Sequence, residues 1–147
     1  MLLLLLLPVF QVRVSAAAEG KGSLTLIAKI QKEGQAVAVA NSRWSIYRLA
    51  NRNSDGSFSL VSGAEELGEL MNQPISAKQS RAFLDSLEKE EHLALLSKYG
   101  DIVTDQNGTG ALQDLVPGIF AVVCLDEKPA ESFLAMIPEI SENGPEY

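Results

Sequence analysis

Apolar and polar positions alternate at both ends of the chain and change period in the middle. From Ser23 to Ile30, Leu24, Leu26, Ala28 and Ile30 fall on one side, the period of a half-buried strand. Glu33-Gly34 offers a turn, and Ala36 to Val39 and Trp44 to Leu49 continue as strand. In the latter, Trp44, Ile46 and Arg48 face one way, and Ser45, Tyr47 and Leu49 the other. Asn51 to Gly56 is a turn cluster, and its Asp55-Gly56 ahead of Phe58 to Val61 predicts a hairpin. Beyond Pro74 the pattern turns helical. Ser76 and Gln79 stand at capping-box spacing, and Phe83, Leu84 and Leu87 share a side. A helical insertion over 76–99 follows, with Gly100 placed to cap it. Asp105 to Gly108 is a turn, Ala111 to Leu115 a short strand, and Pro117-Gly118 another turn. Ile119 to Leu125 is apolar on both faces, which predicts a central, covered strand. Asp126 to Pro129 is a loop, Ser132 to Pro138 a last strand, and Glu139 to Tyr147 a polar tail. Short strands joined by Gly, Asn and Asp turns predict a mainly β, antiparallel sandwich with one helical insertion.

The first residues stand apart. Met1 to Phe10 is apolar and uncharged, about half of the roughly 20 residues that a bilayer-spanning helix needs. Gln11 and Arg13 interrupt it, and Ser15-Ala16-Ala17-Ala18 follows. An apolar core ahead of small residues is the layout of a secretory signal peptide, with cleavage expected near Ala16 or Ala18. The alternative is a buried N-terminal helix or strand, for which a run of leucines with no polar face is poor material. The usual basic start is missing, which predicts an incomplete N-terminus. The expected organisation is a cleaved signal over 1–18 and one domain over 19–147.

Composition narrows the function. The formal charge is −7, and losing Arg13 with the signal makes it −8. An acidic exported domain without a basic stripe argues against nucleic acid and anionic membranes as partners. Cys124 is the one cysteine, so no internal disulfide forms and stability must come from the core or another crosslink. Catalysis has little support. His92, the one histidine, is expected on a solvated helix, and a His/Cys metal site lacks ligands. Cys124 ends an apolar strand, where an inert buried thiol is expected. Glu65-Glu66 and Glu88 to Glu91 read as solvated helix faces rather than an acid/base pair. Asp101, Asp105 and Asn107 lack the bidentate glutamate of an EF-hand loop, so a self-bonded turn is expected at Asp105. Trp44 is expected in the core rather than as a sugar-stacking platform. No cofactor and no metal are expected.

Five motifs in order carry a resemblance. They are Gly22-Ser23-Leu24-Thr25-Leu26, Trp44-Ser45-Ile46-Tyr47, Thr104-Asp105-Gln106-Asn107-Gly108, Leu115-Val116-Pro117-Gly118-Ile119-Phe120 and Phe133-Leu134-Ala135-Met136-Ile137-Pro138. Over roughly Gly22 to Tyr147 the chain resembles the N-terminal domain of Gram-positive sortase-assembled pilins and surface adhesins, of the collagen-adhesin B type. The resemblance implies a Greek-key, prealbumin-like β-sandwich. Many such domains carry an isopeptide bond between a first-strand lysine and a late Asn or Asp, assisted by a buried acid. Here the usual lysine position falls on Ala28 and the usual glutamate position on Cys124, so no isopeptide bond is expected. Lys29 is one residue off, hence on the opposite face. The polymerising lysine motif and sorting motif of pilins do not occur between Gly22 and Tyr147, which reads as a domain truncated at its C-terminus.

The resemblance implies a non-enzymatic structural or adhesive module of a Gram-positive surface protein or pilus, secreted or on the cell surface. Its implied partners are neighbouring pilin or surface-protein domains and a host or matrix ligand. A free secreted binding or inhibitor module of the same fold is the alternative.

Overall fold

The computed structural model describes residues 8–16, 21–71, 76–126, 131–137, 139–141 and 144–146. In chain order the elements are β1 (Pro8–Ala16), β2 (Gly22–Lys32), β3 (Gln35–Ala38), β4 (Arg43–Arg52), β5 (Phe58–Leu60), α1 (Glu65–Met71), α2 (Ala77–Leu87), α3 (Glu90–Leu93), β6 (Lys98–Val103), β7 (Thr109–Leu115), β8 (Gly118–Cys124), β9 (Phe133–Ile137), β10 (Glu139–Ser141) and β11 (Gly144–Glu146). The chain is mainly β, and all strand pairs are antiparallel.

Two sheets face one another. In the first, β2 is central: β1 lies along it from Pro8↔Ile30 to Ala16↔Gly22, while β3 and β7 divide the other edge. In the second, β4 is central, with β8 and then β9 on one side and β5 and β6 dividing the other. Between the sheets lie Leu24, Leu26 and Ala28 of β2 and Leu115 of β7. Opposite them are Trp44 and Ile46 of β4, Phe120 and Val122 of β8, and Ile137 of β9. The alternation in β2 and β4 predicts these inward positions, and β8 is buried along both faces as its composition demands. Trp44 is fully buried, and its indole N–H donates to Ser42 Oγ at 2.9 Å.

The outer face of the second sheet is covered too. Leu49 of β4 and Ala121 and Val123 of β8 pack against Leu67 of α1 and Phe83, Leu84 and Leu87 of α2. A register shift between Arg48 and Ala50 inserts one extra residue into β4. This bulge turns Leu49 and Ala50 toward the same side, where strict alternation would separate them. Gly118 is needed opposite it, because a Cβ there would run into the Ala50 carbonyl oxygen.

Turn chemistry matches the sequence. Glu33 and Gly34 both have positive φ (51° and 79°), the two-residue hairpin geometry that suits strand twist. Asp55 Oδ1 accepts from the Ser57 N–H at 2.9 Å in the β4–β5 hairpin. Asp105 Oδ1 accepts from the N–H groups of Asn107 and Thr109 at 2.8 and 2.9 Å. Gly108 closes that turn at φ 73°, and its carbonyl accepts from the Ala28 N–H at 2.7 Å. The capping box at Ser76 and Gln79 opens α2.

The extent of the helical insertion needs correction, and both ends of the chain carry strands. The helical insertion does not run to 99: it consists of α2 and the single turn α3, and Lys98 begins β6. Tyr99 and Gly100 are strand residues, because β4 offers an edge whose hydrogen bonds outweigh the local helix propensity. A further helix, α1, precedes the expected one and brings Leu67 into the outer core. The polar tail contains a small hairpin of β10 and β11. At the other end, Pro8–Ala16, part of the stretch expected as an export signal, runs as β1 beside β2. The expected cleavage position Ala16 is the last residue of β1, and Ala18 lies outside the described residues.

Candidate functional site

The edge of β4 opposite β8 is divided. β6 pairs with it from Arg43 to Tyr47 and β5 from Ala50 to Arg52. Arg48, immediately before the bulge, falls in the gap between them. A cleft of about 340 Å³ opens there, lined by Arg48, Asn51, Ser62, Ser97, Lys98 and Tyr99, with Val61 and Leu95 as apolar walls.

Arg48 is fixed from several directions. Its guanidinium carbon lies 4.8 Å from the Tyr99 ring centroid and 5.7 Å from that of Phe120, within the range of cation–π attraction. The two rings meet edge to face at 5.4 Å. Nη1 donates to Asn51 Oδ1 at 3.0 Å. Nε is buried and has no hydrogen-bond partner among the described residues. Three other cations are matched with acids: Arg43 with Asp126, Arg81 with Asp85 and Glu88, and Lys98 with Asp101 at 2.9 Å. Among the described residues no carboxylate pairs with Arg48. The Tyr99 hydroxyl donates to the Asp114 carbonyl at 3.0 Å, which holds its ring in place.

The residues weighed in the sequence lie elsewhere. His92 is half-buried rather than solvated. Its Nδ1 stands 2.8 Å from the Ser86 carbonyl oxygen and 3.4 Å from Ser86 Oγ. A carbonyl only accepts, so Nδ1 carries the proton and cannot act as a base toward that hydroxyl. Glu65 is near His92 in a small hollow. Its carboxylate is held ionised, below its ordinary range, by its own backbone N–H and by that of Gly63. Asp101 accepts from the Ser45 hydroxyl at 2.6 Å and from Lys98, while Asp105 serves its turn, so the structure gives these two acids separate structural partners. Asp101 is held below the ordinary carboxylate range, first by Ser45 and then by Lys98. Among the described residues no group of three or more His, Cys, Asp or Glu could hold a metal ion, and no helix is long and apolar enough to cross a membrane.

Ala28 and Cys124 sit on facing sheets against the same inner core. Cys124 is half-buried, its N–H donates to Ser132 Oγ at 3.0 Å, and burial pushes its thiol above the ordinary value. Lys29, paired with Val9 and Ala38, occupies the β2 face opposite Leu24, Leu26 and Ala28.

Sequence reasoning missed the cleft. Its one available signal was Arg48 itself, a charge on the face shared with Trp44 and Ile46. The partners that explain that charge come from Tyr99 and Phe120, distant in sequence. Comparison with protein-family models, with curated proteins and with solved structures finds no match to this chain.

Proposed function

We propose that this chain is a non-enzymatic structural or adhesive module of a Gram-positive surface protein or pilus. Its fold would be the Greek-key, prealbumin-like β-sandwich of pilin N-terminal domains. One observation carries the reading: the strand motifs of the resemblance fall on β2, β4, β8 and β9, the strands that enclose the inner core. Ala28 and Cys124, at the positions where related domains carry a crosslinking lysine and acid, both lie against that core. A small apolar residue and a protonated thiol there replace the reactive pair with packing. The module thus relies on its core and forms no isopeptide bond.

Export belongs to the same reading, and it has a structural consequence. Cleavage near Ala16 or Ala18 would remove β1 and leave Gly22 to Ile30 as an open edge of β2. Unpaired N–H and C=O groups on an uncovered edge invite another strand, and a neighbouring domain of a surface fibre is a natural source.

Fractionation of the source cells with an antibody to the domain tests the proposal. Wall-released, covalently linked high-mass species are expected. A free monomer in the medium would support the secreted binding or inhibitor module instead, and retention in the cytosol would overturn both. An intact mass lower by one ammonia than the mature sequence requires would refute the absence of a crosslink.

A further inference from the structure

We propose that the cleft at the divided edge of β4 is a carboxylate-binding site, with Arg48 as its anchoring cation. This goes beyond the surface-module reading and does not depend on it.

The argument starts from the charge. The chain has 19 acidic and 12 basic side chains, yet no carboxylate among the described residues pairs with the half-buried Arg48. A buried donor without a partner is destabilising, and among the described residues Arg48 Nε is such a donor. The fold therefore maintains an unsatisfied, partly desolvated guanidinium where exchange with an acidic neighbour would relieve it.

The geometry selects the ligand class. Tyr99 and Phe120 rings lie near the guanidinium, and Asn51 takes Nη1. What remains is Nη2, the guanidinium nitrogen that is neither hydrogen-bonded among the described residues nor buried. It can donate a charge-assisted hydrogen bond to a carboxylate oxygen. Ser62 and Ser97 supply hydroxyls on the wall, and Val61 and Leu95 an apolar side for a short aliphatic stem. Lys98 at the rim is already held by Asp101 and contributes attraction at longer range rather than a direct bond. The cleft, at about 340 Å³, falls in the size range of small-ligand sites, roughly 300–1,000 Å³. It has room for one acidic side chain or one chain terminus.

The test is a titration of ¹⁵N-labelled protein followed at the arginine Nε–H signals. N-acetylglutamate α-amide offers a side-chain carboxylate, N-acetylalanine a terminal one, and N-acetylglutamine amide none. A saturable shift of the Arg48 signal is expected with one or both acids, with dissociation constants on the order of 1 mM. Whichever acid binds more tightly identifies the source of the carboxylate. Arg48→Lys keeps the charge but loses the planar guanidinium that Asn51, Tyr99 and Phe120 hold in place, and is expected to weaken binding about tenfold or more. Should that variant fail to fold, Ser62→Trp decides: Ser62 is exposed, and a large ring there fills the cleft while leaving the Arg48 side chain unchanged in the sequence. Equal shifts with the glutamine amide would overturn the proposal, as would unsaturable shifts shared by all arginines or undiminished binding by Ser62→Trp. A failure in the cell-fractionation experiment would leave these outcomes unchanged.

Discussion

On its inner face the second sheet meets another sheet, and Trp44, Ile46, Phe120 and Val122 interlock with Leu24, Leu26 and Leu115 from strands far away in sequence. On its outer face the same strands meet three helices of seven, eleven and four residues. Helices shorter than about 12–15 residues are marginal alone in water, so this layer exists because Leu67, Phe83, Leu84 and Leu87 dock onto Leu49, Ala121 and Val123. The inner core is held by ladders on both sides, whereas the outer core is closed on one side by short local elements. That difference makes the inner core the cooperative unit and the helical layer the part that opens first. The Arg48 cleft lies where the two meet, bounded by β6 residues Lys98 and Tyr99 and by Ser62 and Leu95 from the segments flanking the helices.

The sharpest way to break this comparison is Trp44→Ala. It should cost about 3–5 kcal/mol in urea unfolding and remove the fold as a unit. A loss confined to the helical layer would contradict the inner core's role. Next is Leu84→Ala in α2, expected to cost about 2–3 kcal/mol. Hydrogen exchange should then accelerate in α1 to α3 while β4 and β8 stay protected. Uniform acceleration across both faces would show the two cores to be one unit. Ser76→Ala removes the capping hydroxyl of α2 and should cost about 1 kcal/mol, again mostly as faster exchange in the helices.

The smallest effect concerns pH. The Asp101 carboxyl is lowered in the folded protein by Ser45 and Lys98, so its contribution is present above the ordinary carboxylate value. It is lost as pH falls through and below about 4. With both side chains of the Lys98–Asp101 pair about half exposed, solvent screening keeps the contribution small. Asp101→Asn should flatten the acid limb of a stability-against-pH curve slightly. An unchanged acid limb would show that the pair adds nothing to the rim of the inner core.

Much of the strand framework was legible because a half-buried strand writes its burial into alternating residues. β2 announces its inward positions, β4 its alternating faces and β8 cover on both faces, and the turns place Gly34, Gly56 and Gly108 where φ is positive, while Glu33 takes a positive φ that its residue type does not call for. The end of the helical insertion was not legible. Residues 94–99 have acceptable helix propensity, and only the vacant edge of β4 makes Lys98 to Val103 a strand. The bulge at Leu49 and the strand pairing of Pro8–Ala16 were hidden for the same reason, since register is a property of two strands and not of one.

The sequence by itself determined the mainly β character, the buried face of each long strand and the capped start of α2, because these depend on periods and contacts within a few residues. Only the tertiary structure decided that the β4 edge is shared, that Arg48 stands in the gap with no acid paired to it among the described residues, and that Tyr99 and Phe120 lie near its guanidinium. Those relations join residues tens of positions apart, and no local pattern encodes a distance across a sheet.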